Sequence, residues 1–175
     1  MGDLAHKLSP EEVRRNLVKA SVFITAYELM KDAILRNVSG FFISGFDQSG
    51  LTHSPEYERD VLSRDKNKVR ASLLWLLDMK AITPDNLAAF DEMRKHRNEV
   101  AHDLPKLLVD PAFSVDLHLL NELHIMLRRL DRFFGEIEVD TNPDFDGKQV
   151  DLDGIKSGTT LLLEYIISIA AEDEA

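Results

Sequence analysis

The sequence contains no cysteine, and this absence removes several classes of protein at once. Without thiols there is no disulfide framework, no thiolate nucleophile and no zinc site built from cysteines. Long apolar runs are also missing, because the longest, residues 160–171, is interrupted by Glu164 and is too short to span a bilayer. The first residues have no apolar core of the signal-peptide type. We therefore expect a cytoplasmic protein with no membrane partner.

Positive charge is scarce. The chain has 21 Lys and Arg against 31 Asp and Glu, and its net charge is −10. Broad binding to duplex nucleic acid needs a basic face, so we expect no direct binding to duplex DNA. The acidic residues crowd into residues 136–153 and 172–174, whereas Arg94, Lys95 and Arg97 lie together. This asymmetry permits one local site for an anionic ligand.

Strand-like alternation of useful length is absent, and there is no internal repeat. Apolar residues recur instead at helical spacing. A Ser or Thr followed by Pro, or a lone Ser or Asp, precedes most of the apolar runs, as is typical of helix starts. The expected helices run from Ser9-Pro10 to about Asn37 (ending before Gly40), from Asp65, from Thr83-Pro84 to Leu104-Pro105, from Ser114, and from about Ile155 to Ala170.

Between these helices the pattern predicts shorter pieces. Residues 41–52 are expected to form a loop or a short packed helix, Ser54-Pro55 to start a short helix, and residues 140–154 to form acidic turns. A chain of 175 residues suits one domain with a real core. The sequence therefore predicts an all-α fold: a single domain over residues 1–175, built as an up-down bundle of four main helices plus short ones.

The last predicted helix is apolar around most of its circumference. The residues responsible are Leu161, Leu162, Leu163, Ile166, Ile167 and Ile169. A helix of this kind lies either at the centre of a bundle or in a contact between two copies of the chain.

One stretch combines residues that can handle a phosphodiester: Arg97-Asn98-Glu99-Val100-Ala101-His102. A guanidinium holds phosphate oxygens through paired donors, and an imidazole moves a proton near neutral pH. The stretch resembles the signature of the HEPN superfamily, an Arg with a polar residue after it and a His four to six residues further on. The all-helical context also resembles that family.

The resemblance implies a metal-independent endoribonuclease of the toxin–antitoxin or defence type, acting as a homodimer without a cofactor. Arg97 would orient the scissile phosphate, His102 would serve as general acid/base, and Asn98 would position the His or the RNA. Arg94 and Lys95 are the expected RNA-binding residues. The implied partners are an RNA substrate and a protein antitoxin.

Helical geometry limits how this motif can act. Residues five apart on a continuous helix are separated by about 140° around the axis and about 7.5 Å along it. Arg97 and His102 therefore do not share a face, whereas Asn98 and His102 do. Either the helix loosens before Leu104-Pro105 and swings His102 around, or a two-fold dimer brings Arg97 of one copy to His102 of the other.

A structural role for Arg97 is the alternative. Arg97 is expected on the same face as Phe90, Met93 and Ala101, where it could buttress a neighbouring helix through a carboxylate of Glu28 or Asp32. His96 is expected on the solvated face of the same helix.

A second resemblance supports that alternative. Phe23–Leu29, Leu73–Ile82 and Arg94–His102 are similar to segments of the mannitol operon repressor family, although this chain lacks that family's Gly-rich central segment. The resemblance implies a non-catalytic all-α regulator of transcription that acts through a protein partner. The absence of a helix-turn-helix signature agrees with such a role.

Two further patterns imitate metal sites. Asn142–Asp153 has the alternating oxygen ligands and the Gly147 of a calcium loop, but its last position is Asp rather than Glu and Pro143 stiffens it. His118 and Glu122 share a helix face that His124 does not join. We expect an acidic surface turn in the first case, an exposed His in the second, and no metal site.

Overall fold

The computed structural model describes residues 2–48 and 50–172, and over these ranges the chain is predominantly helical. The main helices, numbered in chain order, are α1 (Gly2–Lys7), α2 (Pro10–Phe41), α3 (Lys68–Asp78), α4 (Pro84–His102), α5 (Leu104–Val109), α6 (Leu117–Thr141) and α7 (Gly158–Glu172). Strands β1 (Ile43–Asp47) and β2 (Gly50–His53) form a small antiparallel hairpin. A π-helical turn (Tyr57–Val61) and three 3₁₀ turns (Leu62–Arg64, Pro143–Phe145, Leu152–Gly154) complete the described elements. The all-α prediction is confirmed.

Helix α2 is the long helix against which most of the other long helices pack. At 32 residues it is about 48 Å long, and it packs against α3, α4, α6 and α7. Its fully buried Phe23, Met30 and Ile34 meet buried side chains such as Leu76 of α3 and Leu127 of α6 in one apolar cluster. Burial of such side chains supplies most of the stability of a bundle.

Two of the predicted helix starts are confirmed. The Ser9 side chain accepts a hydrogen bond from the backbone N–H of Glu12, with Pro10 in the first turn of α2. Thr83 and Asn86 form a reciprocal capping box at the start of α4. These side chains satisfy backbone N–H groups that a helix leaves free at its N-terminus.

Two other predicted caps are wrong. Helix α3 is capped by Asn67, which accepts from the backbone N–H of Arg70, while Asp65 accepts from Asn67 itself. Helix α6 is capped by Asp116 rather than Ser114. In both cases a second side chain of capping type stands two residues nearer the helix, and the residue directly before the first helical turn is the one that caps.

The region after α2 also differs from the prediction. Helix α2 continues through Gly40 to Phe41, and the expected loop contains the β1–β2 hairpin with Phe46 opposite Leu51. Neither strand has a buried face. The sequence therefore lacks the alternation of apolar and polar residues that burial of one face imposes.

The acidic segment before α7 is joined to α6 by hydrogen bonds. The Arg128 guanidinium donates to the carbonyls of Asp153 and Ile155, and helix α7 starts at Gly158 rather than near Ile155. The buried Asp131 carboxylate accepts hydrogen bonds from the backbone N–H of Ser157 and, at 2.5 Å, from the hydroxyl of Thr160. An acceptor there satisfies donors at the positive end of α7.

Helix α7 packs against α2 and α6 with part of its apolar surface exposed, so of the two predicted positions the central one does not occur. Leu163 is fully buried, whereas Leu161, Leu162 and Tyr165 are exposed. We name these three residues the α7 face. Among the described residues, no helix combines the length and the apolar character needed to cross a membrane.

Candidate functional site

Helix α4 carries the whole Arg-Asn-x-x-x-His stretch. It is continuous through His102 and ends at Asp103, whose backbone N–H bonds to the carbonyl of Glu99 at 2.8 Å. Helix α5 then begins at once, with Pro105 in its first turn. The expectation that the helix loosens before Leu104 and swings His102 toward Arg97 is therefore wrong.

The buried face of α4 is rotated from the predicted one. Phe90, Met93 and Val100 are buried, whereas Ala101, which was expected on this face, is exposed. The rotation arises because α4 packs against both α2 and α6. It places position 97 beside the buried face and position 96 within the contact with α6.

Arg97 is held within its own chain. Its Nη2 donates to Oε1 of Glu28 on α2 at 2.7 Å, and its Nη1 donates to Oδ1 of Asn98 at 3.3 Å. The guanidinium carbon lies 5.9 Å from the centroid of the Tyr27 ring, within cation–π range. The Nε atom is buried and has no acceptor among the residues described. The predicted partnership with Glu28, rather than Asp32, is the one that forms.

Glu28 is itself shared between two cations. Lys31 forms a hydrogen-bonded ion pair with the other carboxylate oxygen. The hydrogen bond from Lys31 is the largest cause that lowers the pKa of Glu28, and the charges of Lys31 and Arg97 add to it against the opposing effect of burial. The carboxylate is therefore ionised at neutral pH, and this arrangement is lost only as the pH falls through the lowered pKa.

His102 lies apart from Arg97. It is exposed at the last position of α4, about 140° around the helix from Arg97 on ideal geometry. Asn98 is exposed too and contacts Arg97. One copy of the chain thus does not bring the guanidinium and the imidazole to one phosphate.

The two predicted RNA-binding residues, Arg94 and Lys95, are exposed on α4. Arg94 lies 3.5 Å from Asp91, which also pairs with Arg70 of α3 at 2.8 Å. Arg94 and Arg70 line a cleft of about 410 Å³ between α2, α3 and α4, which we name the α3–α4 cleft. Sequence reasoning missed Arg70, because nothing in the local pattern places it beside α4.

His96 is not solvated, contrary to the prediction. Its side chain is 13% exposed, and its ring packs edge-on against Phe23 with 5.0 Å between centroids. Its Nε2 accepts the backbone N–H of Asp116 at 2.9 Å, just before α6 begins. His96 stands between Met93 and Val100 in the helical repeat, so the rotated face of α4 draws it inward.

The metal-like patterns stay apart in the fold. His118 lies 3.9 Å from Glu122, and His124 instead meets Glu164 of α7 at 3.1 Å. Asn142 caps the 3₁₀ turn that begins at Pro143. Among the described residues, no group of three or more His, Asp or Glu is placed to hold a metal ion.

No family model matches this chain, and no match is found among curated proteins or solved structures.

Proposed function

We propose that this chain is a non-catalytic regulatory protein that acts by binding a partner, with Arg97 serving the fold. The observation that carries the proposal is the ion pair of Arg97 with Glu28, supported by the Tyr27 ring beneath the guanidinium. A phosphate-binding Arg needs free donors directed at the ligand. Here Nη2 donates to Glu28, Nη1 donates to Asn98, and Nε is buried, so one N–H remains on each terminal nitrogen, and the Glu28 carboxylate already offsets the charge of the guanidinium.

The exposed α7 face supports assembly with a partner. Leu161, Leu162 and Tyr165 project from a helix that is otherwise fixed against α2 and α6. Large apolar side chains that stay exposed side by side are typical of protein interaction surfaces. We infer that the chain forms a homodimer through this face, and that a regulatory protein partner binds the dimer.

A metal-independent endoribonuclease of the toxin or defence type is the second candidate. One observation favours it: His102 and Asn98 are both exposed and lie four residues apart, on one side of α4. A second copy could then supply an Arg97 to each His102, as the resemblance to the HEPN superfamily implies. The pair with Glu28 would have to open for this to happen.

One experiment separates the two candidates. The purified protein is incubated with total cellular RNA in EDTA, beside a His102→Ala variant. A His118→Ala variant serves as the matched control, because His118 is exposed on α6 and is not part of the motif. The regulatory proposal predicts that the three proteins leave the RNA equally intact.

Cleavage by the wild type and by His118→Ala, but not by His102→Ala, would overturn the regulatory proposal in favour of the ribonuclease. Equal cleavage by all three proteins would remove Arg97 and His102 from any catalytic role, and would point to a different site or to a contaminating nuclease.

A further inference from the structure

The α3–α4 cleft is a concave space lined by both polar and apolar side chains. Its volume is about 410 Å³, within the range of small-molecule sites. Its apolar lining includes Tyr27, Leu73 and Phe90, and all three are largely buried. The rings of Tyr27 and Phe90 lie 5.4 Å apart between centroids. A flat or compact apolar group would meet carbon surface at the bottom of this cleft.

The walls of the cleft carry more positive than negative charge. Lys31, Arg70 and Arg94 contribute three cations to the lining, against two carboxylates from Asp65 and Asp91, and Lys31 is also paired with Glu28 beside the cleft. This local excess occurs in a protein of net charge −10. A cationic cleft on an acidic molecule concentrates anionic ligands at that place.

The two arginines keep donors available. Both pair with the single carboxylate of Asp91, Arg70 at 2.8 Å and Arg94 at 3.5 Å. A guanidinium has five N–H donors, so a single shared carboxylate cannot accept hydrogen bonds from all the donors of two guanidinium groups. Arg94 is also half exposed, which leaves its remaining donors accessible from the mouth of the cleft.

From these observations we infer that the α3–α4 cleft binds a small organic anion, a phosphate or carboxylate carried on a compact aromatic or apolar body. The anionic group lies between Arg70 and Arg94, where bidentate donors suit both oxyanions. The apolar body lies over Tyr27 and Phe90. The inference does not depend on the proposed function, because neither His102 nor the α7 face lines the cleft.

Binding of an anion in the cleft is expected to change the ion pair between Arg97 and Glu28. Lys31 lines the cleft and shares Glu28 with Arg97. An anion that draws Lys31 toward itself leaves Glu28 with Arg97 as its remaining cation. The cleft is therefore connected to Arg97, which links α4 to α2, through two ion pairs, Lys31–Glu28 and Glu28–Arg97.

The test uses phenyl phosphate and benzoate as probes, titrated into the full chain by calorimetry at fixed ionic strength. Inorganic phosphate and benzyl alcohol supply the anionic and the aromatic half alone. We expect saturable binding of at least one probe, about tenfold or more tighter than either half, because the cleft contributes to both parts. Absence of saturable binding by both probes would overturn the inference.

Variants locate the site. Arg94→Gln is expected to weaken the binding probe about tenfold, while Arg129→Gln, an exposed arginine of α6 outside the cleft, leaves it unchanged. Arg70→Lys keeps the charge but loses the paired donors, and should weaken binding as well. Thermal melting checks that each variant is folded. Equal weakening by Arg94→Gln and Arg129→Gln would show general charge attraction and would overturn the site.

Discussion

At the scale of single residues, the contacts of Arg97 distinguish a structural role of the Arg-Asn-x-x-x-His motif from a phosphate-binding one. The same side chain could hold a phosphate or join two helices, and the difference lies in which acceptors its donors meet. In this structure they meet Glu28 and Asn98, with Tyr27 beneath the guanidinium. Because Glu28 is also held by Lys31, α2 and α4 are joined by a chain of three charges rather than by an isolated pair.

Removing Arg97 should therefore destabilise the fold. We expect Arg97→Gln to lower the free energy of unfolding by about 1 kcal/mol, a modest cost because Glu28 is about one third exposed and keeps Lys31. His102→Ala, at an exposed position, should change it by less than about 0.5 kcal/mol. Urea denaturation of both variants measures the difference.

A double-mutant cycle with Glu28→Gln completes this test, because it isolates the energy of the pair from other losses. The coupling should be present at pH 7 and fade as the pH falls through the lowered pKa of Glu28, since protonation removes the charge. A variant Arg97→Gln as stable as the wild type would show that the guanidinium is not needed by the fold, and would favour its use on a ligand.

At the scale of elements, the two ends of β1 have different roles. Phe42, directly before the strand, is buried in an aromatic cluster with Trp75 of α3 and with Tyr57. Phe46, four residues further on, is 79% exposed opposite Leu51. The hairpin is thus attached to the core at Phe42, whereas Phe46 lies in solvent.

This contrast predicts different effects for the same substitution. Phe42→Ala should lower the free energy of unfolding by about 3 kcal/mol, because a buried ring leaves a cavity. Phe46→Ala should change it by less than about 0.5 kcal/mol, since the ring already faces solvent. Chemical denaturation compares the two variants directly. A large loss in Phe46→Ala would mean that the hairpin packs against another surface in solution, such as a second copy.

The same elements show what the sequence could predict. The long helices were predictable because they bury apolar side chains at helical spacing, and α2 and α4 also begin at the expected capping residues, Ser9 and Thr83. The short helices α1 and α5 were not predicted, and α5 has no side-chain cap. The hairpin was not, because a strand with no buried face carries no alternation. The competition between Asp65 and Asn67 for one helix start could not be resolved from residue type alone, since both are good caps.

The candidate site was partly predictable for a similar reason. The position of Arg97 near the end of α4 follows from helical spacing, and charge limited its expected partner to Glu28 or Asp32, of which the structure shows Glu28. The burial of His96 does not follow from spacing, because it depends on contacts with Phe23 of α2 and with Phe113 and Asp116, which are far from it in sequence. The α3–α4 cleft is lined by residues from three helices that are far apart in sequence, and no local sequence pattern indicates that these residues lie together.

At the scale of the whole molecule, the distribution of apolar surface is uneven. Many large apolar side chains are buried in one core cluster, but the α7 face and the hairpin tip, Phe46 with Leu51, are among those that stay exposed. These two patches differ in how firmly the elements that carry them are packed. Helix α7 is fixed against α2 and α6 and held at its start by Asp131, so it presents a rigid surface, whereas the hairpin has no packed face. A rigid surface loses less conformational entropy on association.

The α7 face is therefore the interface we expect in the proposed homodimer. Tyr165→Arg places a charge on that face, where Tyr165 is 65% exposed, and should convert dimers to monomers at micromolar concentration while leaving the melting curve of the monomer intact. Leu51→Arg on the hairpin is the matched control, because Leu51 is exposed to a similar extent, 61%. Sedimentation equilibrium over a range of concentrations gives the association state of each. Dissociation by Leu51→Arg alone would move the interface to the hairpin, and a wild-type chain that stays monomeric throughout would exclude the homodimer and with it the ribonuclease site shared between two copies.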